Sequence, residues 1–321
     1  MKLPSSRLIY QRTVATVGVL NNLILILLIV FKSPKQLGHY RYLMIYISIF
    51  EILYSFLDFA SVAEIYSKDS LFVIIIYKNL ALIPEFLLKY ANHAFCSLFG
   101  MSMAIFAIHF VYRYLIVTGS RYLQKRHSEK VFCLIGFTML VGLAWSLAMH
   151  WCLNSNVYSD VVLSKDYLAP RHLNLSHVDY VGAHFHQFDE YGVQFVNWKS
   201  MGAIGMMTLV IFLSFSIVIY CGYQIYTQMG IMSSIQSSCS QNLQSQLFWA
   251  LVFQTLIPVF LMHIPASIGF TTSMFNCTNE LLGIVVTYSI FMYPALDPFP
   301  NFFIIKSFRQ AILGWFGFEE Y

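Results

Sequence analysis

"MGAIGMMTLVIFLSFSIVIYCGYQIY", Met201–Tyr226, holds no Asp, Glu, Lys or Arg, and it sits in a longer interval, between Lys199 and Glu280, that holds none either. A water-exposed domain does not run so far without charge unless most of it is buried in lipid or protein. A hydrocarbon core about 30 Å thick is crossed by roughly 20 apolar residues in a helix. An isolated strand there would leave its backbone groups without partners. The stretch therefore reads as a membrane-spanning helix, and that reading decides the class of the whole chain.

Working outward, six more windows meet the same requirement, near Thr13–Phe31, Tyr42–Ala63, His93–Val117, Val131–Leu153, Leu247–Phe270 and Leu281–Ile305. The chain has 321 residues, 58% hydrophobic and 11% charged, with mean hydropathy +0.64. Soluble domains average about 25% charged residues. The expectation is an all-α membrane protein, a seven-transmembrane helix bundle forming one domain over residues 1–321, with a short tail over 306–321. The first window begins too late and runs too long for a cleaved signal peptide, so it reads as a retained anchor. "LFVIIIYKNLALIPEFLL", Leu71–Leu88, is broken by Lys78, Pro84 and Glu85 and is expected to be a re-entrant or surface-lying loop.

Lys and Arg in short loops set the orientation. Lys32, Lys35 and Arg41, then Arg121, Lys125, Arg126 and Lys130, then Lys306 and Arg309 fall on one side of seven spans. That side is expected to be cytoplasmic, with the N-terminus outside. Lys2, Arg7 and Arg12, ahead of the first window, pull the other way. Asn174 and Asn276 open N-x-S/T sites in expected outer loops. The longest outer loop, Asn154 to Ser200, is a candidate lid.

The net charge of +4 does not point to nucleic acid in so apolar a chain. GxGxxG, P-loop, GxSxG and HExxH motifs are absent, so no enzyme and no cofactor is expected. The six cysteines form no C-x-x-C pair, and His172, His177, His184 and His186 fit no familiar metal spacing.

Polar residues inside apolar windows ask for partners. Glu51 and Asp58 lie two turns apart on one helix face, and Asn21, Asn22 and Asp297 are the expected members of a shared network. The network either rearranges when the bundle changes state or fixes helix packing; both readings stand. Arg113, at the inner end of helix three, either snorkels to water or serves a switch, with Tyr114 beside it. Pro258 and Pro265 kink helix six, and Pro298 breaks helix seven at "MYPALDPFPNFFIIKSF", Met292–Phe308. In the outer halves His93, Ser97, Met101, Met206, Met207, His263, Thr271 and Tyr288 could line an apolar pocket with a few polar groups, or simply pack.

Four blocks then carry a resemblance: "LILILLIVFKSPKQLGHYRYLMIYISIFEILYSFLDF", "GMSMAIFAIHFVYRYLIVTGS", "LVFQTLIPVFLMHIPASI" and "YPALDPFPNFFIIKSFRQAI". Over nearly its whole length the chain resembles nematode seven-helix chemoreceptors of the Str group, serpentine receptor class r. The resemblance implies a plasma-membrane G protein-coupled receptor, ciliary in sensory neurons, that binds a small environmental chemical and activates a heterotrimeric G protein. Arg113, Tyr114, Arg121, Lys125, Arg126, Asn301, Lys306 and Arg309 would face the G protein, and membrane lipid surrounds the bundle. Tyr112-Arg113-Tyr114 is similar to the acid-arginine-tyrosine triplet of rhodopsin-like receptors but lacks the acid. Those receptors also tie helix three to the second outer loop by a disulfide. No cysteine lies between Asn154 and Ser200, which leaves Cys96 with Cys152 or with Cys277 as alternatives. A seven-helix ligand-gated channel subunit and a small-solute transporter are the rival functions; no internal repeat favours the transporter.

Overall fold

The computed structural model describes residues 5–120, 127–189, 191–232 and 238–315. Among them, seven helices are long and apolar enough to cross a membrane. They are α1 Ser5–Lys32, α2 Tyr40–Ser61, α3 Leu88–Val117, α4 His127–Cys152 and α5 Trp198–Met232. Helix α6 runs as Ser238–Pro258, passes through a π turn at Val259–His263 and continues as Ile264–Met274. Helix α7 is Glu280–Leu296, resumed over Phe299–Ile304, and a short α8, Lys306–Trp315, follows.

Helix α3 is the axis: 78% of its apolar window is buried, against 22% for α5 at the lipid-facing edge. A helix surrounded by protein is apolar on every side and shows no single hydrophobic face. Pro258 and Pro265 each remove a backbone donor, and the five-residue π turn between the two straight segments absorbs the mismatch.

The outer end departs from the expectation for Leu71–Leu88. Leu71–Tyr77 is not a re-entrant loop but strand β2, paired antiparallel to β1, Glu64–Lys68, and to β3, Val178–His184, in the order β1-β2-β3. Both rows of its backbone groups are bonded, so the segment needs no helix to satisfy them. Its side chains alternate, as period two demands. Phe72, Ile74 and Ile76 face the bundle core, while Leu71, Val73, Ile75 and Tyr77 join a second core with Leu163, Tyr167 and Leu168. Burial on both faces explains why the run is apolar throughout. A small hairpin, β4 His186–Phe188 with β5 Gln194–Val196, completes the outer layer.

Neither expected disulfide is present: Cys96, Cys152 and Cys277 are free. Hydrogen bonds hold the lid to the bundle instead. Asn92 Nδ2 of α3 donates to Asp179 Oδ1 at 2.7 Å, and the Gly182 N–H donates to the Leu153 carbonyl at 2.9 Å. Arg7 and Arg12 do not precede the first helix but lie on it. Arg7 forms an ion pair with Glu64 of β1, and Arg12 donates to the Leu80 carbonyl and stacks on Phe59. Arg7 is thus matched by an acid, while Arg12 is held by a backbone carbonyl and an aromatic ring.

Candidate functional site

Beneath the sheet lies a cavity of about 50 Å³. Its roof is Ile65, Phe72 and Ile74 with the backbone of Gly182 and Ala183; its walls are Phe95, Cys96 and Phe99 of α3, Trp145 and Met149 of α4, and Ile204 and Met207 of α5. Ala266 and Phe270 of α6 and Ile290 of α7 close the remaining side. Gly182 is required here, because a Cβ would stand 2.3 Å from the Phe72 carbonyl oxygen, and its φ is +156°. The lining is almost wholly apolar, so an occupant would be held by shape and dispersion, and the volume admits a molecule of a few heavy atoms.

Of the eight residues expected to line a pocket, only Met207 touches this cavity. Met206 is exposed on the lipid side, where its neighbour Met207 takes the inward position. Thr271 is exposed. His93 is bonded to the Lys89 carbonyl, Ser97 to the His93 carbonyl, and Tyr288 packs on Tyr10. Met101 fills the space beside Gly142. His263 is buried in the π turn, meets Ser102 Oγ of α3 at 3.0 Å and packs with its ring tilted 54° to Phe99, a wall of the cavity, at 4.9 Å between centroids. Helical spacing does not tell which side of each helix faces inward, because these helices are apolar all round.

Below the cavity the polar residues of the apolar windows meet. Pro298 has no N–H for the Pro294 carbonyl, and Asn22 Nδ2 donates to that oxygen at 3.1 Å. Asn21 Nδ2 likewise reaches the Ala295 carbonyl at 2.8 Å. Neighbouring side chains thus satisfy the broken end of α7, as buried backbone in a membrane requires. Asp297 is fully buried and accepts from Gln254 Nε2 of α6, and Asn301 Nδ2 donates to Gln254 Oε1 at 3.1 Å. Its acidic neighbour is Glu51, within hydrogen-bonding reach, which also accepts from the Tyr293 hydroxyl at 3.3 Å. Asp58 was expected in this network and is elsewhere: two turns outward along α2, about 10 Å away, its backbone carbonyl accepts from Gln11 Nε2. Gln254, uncharged and inconspicuous in sequence, is the residue that joins α6 to α7.

At the inner end Arg113 is buried and does not snorkel. It donates to the Gln244 carbonyl at 2.9 Å and to Gln244 Oε1 at 3.0 Å, and lies over the Tyr40 ring. Tyr114 packs edge-on to Tyr220 of α5. The Lys306 N–H is held by Gln246 Oε1 at 2.9 Å, and Arg309 Nη1 donates to the Phe303 carbonyl. Arg121, Lys125 and Arg126 lie outside the described residues.

The family model for the serpentine type seven-transmembrane GPCR chemoreceptor Str matches residues 7–313. The chain belongs to the Str family of chemoreceptors. It is 33% identical to the G-protein coupled receptor str-217 of Caenorhabditis elegans over 95% of this chain and 89% of that protein. It is 28% identical to serpentine receptor class r-10 of the same species over 88% of this chain and 82% of that protein. Among solved structures, squid rhodopsin superposes on 99% of the chain, covering 87% of its own, with a TM-score of 0.63 at 13% identity. The Str chain therefore has the rhodopsin-type fold, and its family is one of membrane receptors.

Proposed function

We propose that this chain is a chemosensory receptor of the plasma membrane, in sensory cilia, with its N-terminus outside and its C-terminus in the cytoplasm. A small apolar or weakly polar environmental molecule occupies the cavity under the β-sheet and biases the bundle toward a state that activates a heterotrimeric G protein. The observation that carries the reading is the contact of Phe99 with His263: one ring lines the cavity, the other belongs to the π turn of α6. A ligand pressing on Phe99 changes the packing of the one irregular turn in α6, and a helix weakened there can swing at its inner end. The ligand shifts the equilibrium only by its differential affinity for the two states, commonly about 1 to 3 kcal/mol. Release of Arg113 from Gln244 would then open the inner surface made by Arg113, Tyr114, the basic loop through Arg126 and the segment from Asn301 to Arg309. Asn174 and Asn276, both exposed at the outer end, would carry N-linked glycans.

The test is an N-terminally tagged receptor stained on unpermeabilised cells and challenged with volatile compounds of few heavy atoms under a G protein readout. External staining and responses that vanish when Gα is deleted are expected. An internal tag, or responses that persist without Gα as a channel would give, overturns the reading.

A further inference from the structure

A second, differently built pocket of about 310 Å³ lies at the opposite end of the bundle, where α1 turns into α2. Ser33, Lys35, His39 and Arg41 line it, together with Gly38, and Val30 and Tyr42 form its border. The loop "KSPKQLGHYR", Lys32–Arg41, contains no acid, and among the described residues no carboxylate pairs with Lys32, Lys35 or Arg41. The pocket also receives the N-terminus of α2, a 22-residue helix whose first turn has no side-chain cap from His39. The Tyr42 N–H turns back to the His39 carbonyl at 3.1 Å, which leaves the N–H groups of Tyr40 and Arg41 at the positive end of the helix dipole. Gly38, at φ +55°, makes the left-handed turn that brings Lys35 and His39 to one opening. Arg41 is kept at the rim by its Tyr42 neighbour, over whose ring it lies and to whose hydroxyl it donates at 3.2 Å.

Basic side chains, a hydroxyl and a helix N-terminus around one pocket are the chemistry of a phosphate group. We propose that this pocket binds the phosphorylated headgroup of an anionic lipid of the inner leaflet. The lipid source, rather than a free phosphate, follows from the border: Val30 and Tyr42, with Phe31 beside them, are exposed apolar side chains at the inner ends of two spans. An acyl chain lies along them when the headgroup is in the pocket. Bound there, the lipid clamps the α1–α2 turn and leaves the α3, α5 and α6 inner ends clear. The inference rests on the orientation proposed above, since anionic lipid of this kind faces the cytoplasm.

The full-length receptor is reconstituted in phosphatidylcholine nanodiscs with and without phosphatidylinositol bisphosphate, and bound lipid is counted by native mass spectrometry. Lys35→Ala and Arg41→Ala are each expected to weaken retention about fivefold, near the worth of one cation at a membrane surface. Lys165→Ala, a basic residue at the outer end, is expected to leave retention unchanged. Melting temperature in lipid-free detergent checks that each variant is folded. Retention equal in all variants overturns the site. Soluble inositol trisphosphate binding as tightly as the lipid overturns the lipid source in favour of a free phosphate. The measurement uses neither odorant nor G protein, so its failure with an externally stained tag removes this site alone, whereas an internal tag removes the receptor reading first.

Discussion

Above the cavity, three strands bonded backbone to backbone cover the bundle, and the side chains they lower into it are Ile65, Phe72 and Ile74. At the inner end, α3 and α6 are joined by one arginine and one glutamine, and α6 and α7 by an amide between a carboxyl group and an asparagine. The outer closure is a ladder of many equivalent bonds plus apolar burial, which changes only by coming apart. The inner closure is a few directional side-chain bonds, which exchange partners at small cost. The function proposed above would use that division: a covered site that discriminates by shape, and a marginal contact that a few kcal/mol of coupling can tip.

The contrast is broken most severely at Asp297. Asp297→Ala strands Gln254 and Glu51 in a buried site, at a cost of about 3 kcal/mol from two unsatisfied groups, and a melting temperature in detergent well below the parent is expected. Asp297→Asn keeps an acceptor for Gln254 and should retain most of that stability. If both variants melt alike, the network is not what holds α6 to α7. Next is the lid: Gly182→Val puts a branched side chain against the Phe72 carbonyl, which should cost about 2 kcal/mol through backbone strain. Ligand response should fall while basal signalling persists, because the inner bonds are untouched. Smaller again is Gln244→Ala. It removes the side-chain bond from Arg113 and leaves the one to the backbone carbonyl at that position, and it is expected to raise basal G protein activity about tenfold, equivalent to about 1.4 kcal/mol. Unchanged basal activity would make the Arg113–Gln244 pair a packing contact.

How much of this was legible depended on which force places each residue. The seven spans were legible because lipid imposes length and apolarity on every one of them. The break in α7 was legible because Pro298 must free a carbonyl, and Asn22 and Asn21 were named as residues near it. Strand β2 was not: seven apolar residues such as Leu71–Tyr77 carry no period when both faces are buried, and its partner β3 lies about a hundred residues away. Most of the cavity walls were missed for a related reason, since α3 is largely buried and Met206 and Met207, both named, cannot be told apart by type. Gln244 and Gln254 escaped because neither carries a charge whose burial demands a partner, and Gln244 sits among serines and other glutamines. Gln254 did carry a signal, as a lone amide in the middle of "LVFQTLIP".

The smallest effect concerns the lid alone and reads it through pH. His184, the last residue of β3, is buried, and burial first, then the neighbouring His186, pushes its pKa down from 6.5 to about 4. The unfolded lid therefore binds a proton on this ring more readily than the folded one. The neutral ring's contribution is complete above about pH 6.5, shrinks as pH falls toward 4, and is lost below that. Between pH 7 and 5.5 the lid should lose about 1 kcal/mol. Protease cleavage within the outer layer, followed in detergent at fixed temperature, should accelerate several-fold over that interval. In His184→Gln, which cannot charge, the acceleration should disappear while the inner-end behaviour of Gln244→Ala is unaltered. An equal pH response in both proteins would move the titration to another group and leave the sheet insensitive to this histidine. The expected outcome instead confines the pH effect to the outer closure, as a ladder that opens only when its own burial is undone should behave.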